Sequence, residues 1–213
     1  MGALYPAFKL AAPGPGRARA IMPACSQRTD ATMAVKATIF KAELQVSDMD
    51  RNHYQRYSLT LAQHPSETEE RLMVRLLAFA LNADEALAFG RGISTDDEPD
   101  LWLKDLTGQV DLWVEVGQPD EQRIRKACGR AGKVRVYNFS GRSAALWWEK
   151  NAQALERCCN LEVFDVPSDT SQAIAALCKR NMSLQCFVQD GEVQFMDDAT
   201  TVTVNLVARG HSG

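Results

Sequence analysis

Three carboxylates fall in two closely spaced apolar runs: Asp100 in Pro99-Asp100-Leu101-Trp102-Leu103-Lys104, then Asp111 and Glu115 in Val110-Asp111-Leu112-Trp113-Val114-Glu115-Val116-Gly117. Acidic side chains brought together repel one another unless a cation joins them or one is protonated. Oxygen ligands of this kind suit a hard divalent ion, Mg²⁺ or Mn²⁺, which leaves water positions open and makes a bound water acidic enough to attack a phosphodiester. Asp100, Asp111 and Glu115 are therefore candidate metal ligands, with Asp111 and Glu115 as the central pair. Asp97, in Asp96-Asp97-Glu98 just before Pro99, is a further candidate. The ordinary use of such residues is a solvated strand face or turn, and Pro99 suits a strand start, where its missing donor is harmless.

The elements that must position these groups are readable. The two runs predict strands joined by the Gly-containing turn Asp105-Leu106-Thr107-Gly108-Gln109. Strand side chains alternate, so Asp111, Trp113 and Glu115 share one face while Leu112, Val114 and Val116 form a core face. After Gly117, Gln118-Pro119-Asp120-Glu121 predicts a helix start, with Pro in the first turn and acids near the positive end of the dipole. Arg123, Arg125, Lys126, Arg130, Lys133 and Arg135 follow with no intervening acid. A basic run late in a helix serves the dipole, and six such residues also make a candidate phosphate-binding face. Lys133-Val134-Arg135-Val136-Tyr137 predicts another strand.

This order resembles the core of the PD-(D/E)xK nuclease-like fold, in which a helix precedes an acidic hairpin and a helix and strand follow it. From Met33 onward the chain also resembles the bacterial YaeQ family, on Lys36-Ala37-Thr38-Ile39-Phe40-Lys41-Ala42, Asp50-Arg51-Asn52, Ser58-Leu59-Thr60-Leu61-Ala62, His64-Pro65-Ser66-Glu67-Thr68, Asp96-Asp97-Glu98-Pro99, Asp111-Leu112-Trp113 and Pro119-Asp120-Glu121. The resemblance implies a rearranged restriction-endonuclease-like core and a divalent-metal-dependent nuclease. The alternative is an inactive nuclease-like module that binds nucleic acid or a protein partner. Where the nuclease pattern has Lys, two residues after Glu115, this chain has Gly117. That Lys would stabilise phosphate charge at short range. Candidate substitutes are Gln118, Lys104, Arg123 and Lys126, and nucleic acid would approach Arg123, Arg125, Lys126 and Arg130.

Length and composition, 213 residues with 46% hydrophobic and 24% charged, fit one globular domain with an ample core. The formal charge is −3. Residues 1–32 carry Lys9, Arg17, Arg19 and Arg28 against Asp30, so the remainder is more acidic than the total, which argues against general nucleic-acid binding outside the basic patch. Residues 1–32 hold Pro6, Pro13, Pro15 and Pro23 and no apolar run long enough for a signal or a membrane span; a disordered extension or an upstream start is expected, with the domain at 33–209 and a tail at 210–213. Cys25, Cys128, Cys158, Cys159, Cys178 and Cys186 show no zinc spacing and read as reduced thiols of a cytoplasmic protein. His53, His64 and His211 belong to no hydrolase signature. Gly90-Arg91-Gly92 reads as a helix-ending turn.

The fold expected is α+β, a mixed β-sheet flanked by helices with additional β-hairpins. Phe40, Ala42, Leu44 and Val46 alternate with polar residues and predict a strand paired with Tyr54–Ala62. Ser66 and Glu69 match a capping box ahead of a helix running to about Ala88. Arg142–Arg157 and Thr170–Lys179 are expected as helices. Leu161–Val166 is an expected strand, Asp190-Gly191 turns a hairpin, and Val202, Val204 and Leu206 alternate to close the sheet.

Overall fold

The structure, a computed structural model, describes residues 37–90 and 98–210, which lie within the unit Val35–Gly213. Among them are, in order, β1 (Thr38–Asp48), β2 (His53–Gln63), α1 (Glu69–Leu81), β3 (Leu87–Phe89), β4 (Leu101–Lys104), β5 (Val110–Val116), α2 (Glu121–Cys128), β6 (Ala131–Asn138), α3 (Arg142–Leu155), β7 (Leu161–Asp165), α4 (Ser168–Ala175), β8 (Asn181–Gln189), β9 (Glu192–Met196), β10 (Thr201–Val204) and β11 (Val207–Gly210).

The strands form two sheets rather than the single one expected, in the orders β10-β9-β8-β1-β2 and β11-β7-β6-β5-β4-β3. Both are mixed: β1 pairs antiparallel with β2 and parallel with β8, while β5 pairs antiparallel with β4 and parallel with β6. One hydrophobic cluster joins Phe40, Leu44, Leu184 and Phe195 of the first sheet to Val114, Val116 and Tyr137 of the second through α1 and Ile174 of α4. In α1 every residue from Leu72 to Ala80 is buried. A helix apolar on all sides needs partners on all sides, and two sheets supply them. A second cluster covers the opposite face of the six-stranded sheet, where Trp113, Val134, Val136, Leu161 and Val163 meet Ile124 and Ala127 of α2 and Leu155 of α3.

Several expectations change. The cap of α1 is Thr68, whose hydroxyl accepts from Arg71 N at 3.1 Å, and not Ser66. Ser66 instead sits in a turn, with its hydroxyl 2.7 Å from His64 Nδ1. The helix stops at Leu81, and Leu87–Phe89 leaves it to become β3. Gly90 thus follows a strand rather than ending a helix, and Arg91–Gly92 lie outside the described residues. Gly90 N donates to Asp100 O at 3.0 Å, and a Cβ there would stand 1.9 Å from Pro99 O. Only glycine permits that approach, so Gly90 sets where Pro99 and Asp100 enter the sheet. The strand β11, which the sequence did not reveal, closes the second sheet on β7.

Candidate functional site

The site is built where β4, β5 and α2 meet. Leu101 pairs with Val114, so continuing the antiparallel register by one residue sets Asp100 opposite Glu115. Both are buried, at 6% and 3% exposure. They line a cleft of about 460 Å³ together with Arg71, Glu98, Gly117, Gln118, Asp120, Arg123, Phe139 and Ser140.

Each carboxylate is already engaged. Arg71 Nη2 donates to both oxygens of Asp100, at 2.8 and 2.9 Å, and Val116 N donates to Oδ2 at 2.8 Å. Glu115 Oε1 accepts from Trp113 Nε1 at 2.7 Å and from Arg123 Nε at 2.8 Å. Burial, and then the charge of Asp100, push the Glu115 carboxyl up to about 7, against the opposing pull of Arg123 and Trp113. Behind Asp100, Glu67 binds Arg71 Nη1 and Arg75 Nη2, both at 3.0 Å. Burial works against the charged form of Arg71, but Asp100 and Glu67 outweigh it and raise its pKa. In Arg75 burial prevails and lowers it, and its Nε is buried without a hydrogen-bond partner among the described residues.

The structure brings together some of the expected residues and separates others. Asp100 and Glu115 meet, whereas Asp111 is exposed at the start of β5 and does not line the cleft. The expected Asp111–Glu115 pair is therefore replaced by Asp100–Glu115: residues four apart on one strand share a face but sit roughly 13 Å apart along it, while cross-strand neighbours touch. Asp97 lies outside the described residues. Among them, no three His, Cys, Asp or Glu side chains gather closely enough to hold a metal ion.

Of the four expected substitutes for the missing Lys, Gln118 and Arg123 line the cleft and Lys104 and Lys126 do not. Lys104 instead stands 3.3 Å over the Trp102 ring. The Gln118 amide nitrogen is committed to Asn138 Oδ1 at 3.0 Å and Phe139 O at 2.8 Å. Arg123 also donates to Glu98 O, at 2.6 Å. Gly117 has φ +96°, a conformation side chains disfavour, so a Lys at that position would strain the backbone. Arg125, Lys126 and Arg130 are exposed on or just after α2, and Arg125 pairs with Glu121 at 2.8 Å. Trp147 serves packing, with Nε1 donating to Pro119 O at 2.8 Å.

Sequence reasoning missed Arg71 and Arg75. One signal was available: Arg75 interrupts the otherwise apolar run Leu72–Ala80 of α1, where a charge needs a buried partner.

A two-sheet α+β domain with an arginine-clamped acidic pair in a cleft is thus the class that fold and site define. The family model described as YaeQ protein matches residues 33–206. The uncharacterized protein YaeQ of Escherichia coli (strain K12) is 46% identical over 176 residues, covering 83% of this chain and 97% of that protein. Its Salmonella typhi counterpart is 42% identical over the same share of both chains. The crystal structure of YaeQ protein from Xanthomonas axonopodis pv. citri superposes with a TM-score of 0.79 at 54% identity, covering 82% of this chain and 98% of that one. The one from Pseudomonas syringae gives 0.78 at 37%, covering 83% and 98%. This chain belongs to the YaeQ family. Among the described residues, no helix is long and apolar enough to cross a membrane.

Proposed function

We propose that this chain is a PD-(D/E)xK nuclease-like domain that has become a catalytically silent module, recognising nucleic acid at the α2 side of the cleft without cutting it. The core order supports the nuclease-like reading: α1, then the antiparallel β3, β4 and β5, with Asp100 just before β4 and Glu115 on β5, then α2 and β6 parallel to β5. The observation that carries the silent reading is that guanidinium groups hold both carboxylates, Arg71 on Asp100 and Arg123 on Glu115. A divalent ion would have to displace one or both guanidinium groups to reach the carboxylate oxygens. The positive φ of Gly117 disfavours the usual Lys at that position. Exposed Arg125, Lys126 and Arg130 supply the phosphate contacts.

The raised pKa of Glu115 favours one second reading, a Mg²⁺- or Mn²⁺-dependent phosphodiesterase. Two crowded acids with a proton to lose gain from a cation, which would join Asp100 to Glu115 and make a bound water nucleophilic. In that case Arg123 steadies the phosphate charge.

Titration of Mn²⁺ and Mg²⁺ while following thermal unfolding separates the two, in the parent and in Glu115→Gln. The silent reading expects no ion-dependent rise in Tm, no cleavage of single- or double-stranded DNA or RNA, and salt-sensitive oligonucleotide binding that Arg125→Ala/Lys126→Ala weakens. An ion-dependent rise lost in Glu115→Gln, with cleavage in Mn²⁺, establishes the enzyme instead.

A further inference from the structure

A second cleft, of about 380 Å³, opens between the C-terminal half of α3 and the strands β7 and β11. None of its lining residues lines the acidic site. It exists because the helix layer is narrower than the sheet: Leu155 and Cys158 cover Leu161 and Val163 of β7, while β11 extends the sheet one strand further. Trp148, Ala152, Leu155, Leu161 and Val163 form an apolar wall and floor, and Gln153, Glu156 and Arg209 are the polar residues of the lining, with Arg209 its one cation.

Arg209 is fixed by the turn of the sheet edge and by one buried acid. The β7–β11 register runs Val207 to Asp165 and Ala208 to Phe164, then resumes at Gly210 opposite Val163, so Arg209 is the extra residue of a β-bulge. Bulges re-aim a side chain, and here the guanidinium meets Asp165, with Nε 2.7 Å from Oδ2. Asp165 is buried, and its Oδ1 has no hydrogen-bond partner among the described residues. The anchor occupies Nε alone; the two Nη groups make no hydrogen bond or ion pair among the described residues. An arginine fixed through Nε, with its Nη groups uncommitted and its side chain lining a cleft, fits a carboxylate, which accepts two parallel N–H donors. A volume in the range of roughly 300–1,000 Å³, mostly apolar with few convergent polar groups, is that of a small-molecule site.

We propose that the cleft between α3 and β11 binds a small aromatic monocarboxylate, with the carboxylate on the Arg209 Nη edge and the ring against Trp148, Leu161 and Val163. The site is independent of the acidic cleft and of any nuclease chemistry.

Calorimetric titration with 1-naphthoate and with neutral 1-naphthalenemethanol tests it, in the parent, Arg209→Gln, Arg209→Lys and Ala152→Trp. The parent should bind the acid at least about tenfold more tightly than the alcohol, and Arg209→Gln should erase that preference. Arg209→Lys keeps a cation beside Asp165 and should retain part of the preference. Ala152→Trp fills the cleft from α3 while leaving Asp165 and Arg209 themselves in the chain, and should abolish binding of both probes even if Arg209→Gln does not fold. Equal affinity for acid and alcohol in the parent, binding that survives Ala152→Trp, or no binding of 1-naphthoate at millimolar concentration overturns the proposal.

Discussion

Arg71 reaches both oxygens of Asp100 through one nitrogen, at 2.8 and 2.9 Å, and Glu67 through the other, at 3.0 Å. The two acids are almost wholly buried, with side-chain exposures of 5% and 1%, and this guanidinium is the cation they share, with Arg75 adding a second contact to Glu67. Removing one member of a buried ionic group costs far more than the group contributes as a whole. Arg71→Met should lower unfolding stability by about 3–5 kcal/mol in urea denaturation at neutral pH, and adding Asp100→Asn should recover part of the loss. Additive losses in the double variant would show that the pair is not coupled.

Glu115 sets a pH dependence whose sign follows from its folded pKa of about 7, above the ordinary value of 4.5. The folded state holds this proton more tightly than the unfolded chain. The stabilisation is therefore fully present below the unfolded pKa and is lost as pH rises through about 7. Its size is on the order of 3 kcal/mol. Glu115→Gln keeps the neutral shape at every pH, so its Tm relative to the parent should improve steadily between pH 5 and pH 8 (about half of full ionisation being reached near 7). A constant Tm difference across that range would refute the shift.

Gly117 tests whether the missing lysine can be restored. At φ +96° a Cβ would meet only Phe139 Cε1 at 3.6 Å, an ordinary contact, so the cost is conformational rather than steric. Gly117→Ala should lose about 1–2 kcal/mol. Gly117→Lys should lose at least as much and gain no Mn²⁺-dependent cleavage. Cleavage appearing in that variant would mean that the loop accommodates the side chain.

Gly90 is constrained for the opposite reason, since a Cβ there would lie 1.9 Å from Pro99 O. Gly90→Ala must push the Pro99–Asp100 segment away from β3, loosening the hold of Asp100 on Val116 N. We expect a loss of about 3 kcal/mol or more. Amide exchange at Val116 should be faster than in the parent, and unchanged exchange there would show that the strain is absorbed elsewhere.

Local pattern made much of this legible. Alternation in β1 and in Leu112, Val114 and Val116 identified strands and their core faces, and the acid-rich start of α2 marked the helix. What stayed hidden was pairing at long range. Periodicity says which face of β1 is buried but not that Leu44 lies beside Leu184, so two sheets could not be told from one. The short run Leu87-Ala88-Phe89 suits a helix end as well as a strand, and context decided for β3. At the site, spacing along one strand suggested Asp111 with Glu115, whereas the neighbour that matters comes across the ladder. Arg71 stands 29 residues from Asp100 in sequence, and no local rule connects them.

The position of β8 between β1 and β9 has a consequence for how the molecule is made. The first hairpin and α1 leave the ribosome early, yet the strand that completes their sheet is near the end of the message, after every element of the second sheet except β11. Until translation reaches Asn181, the greasy flank of α1 has no lid on that side, and the nascent chain is exposed to self-association or chaperone capture. A premature stop ahead of β8 should therefore yield aggregated product, not a shorter working domain.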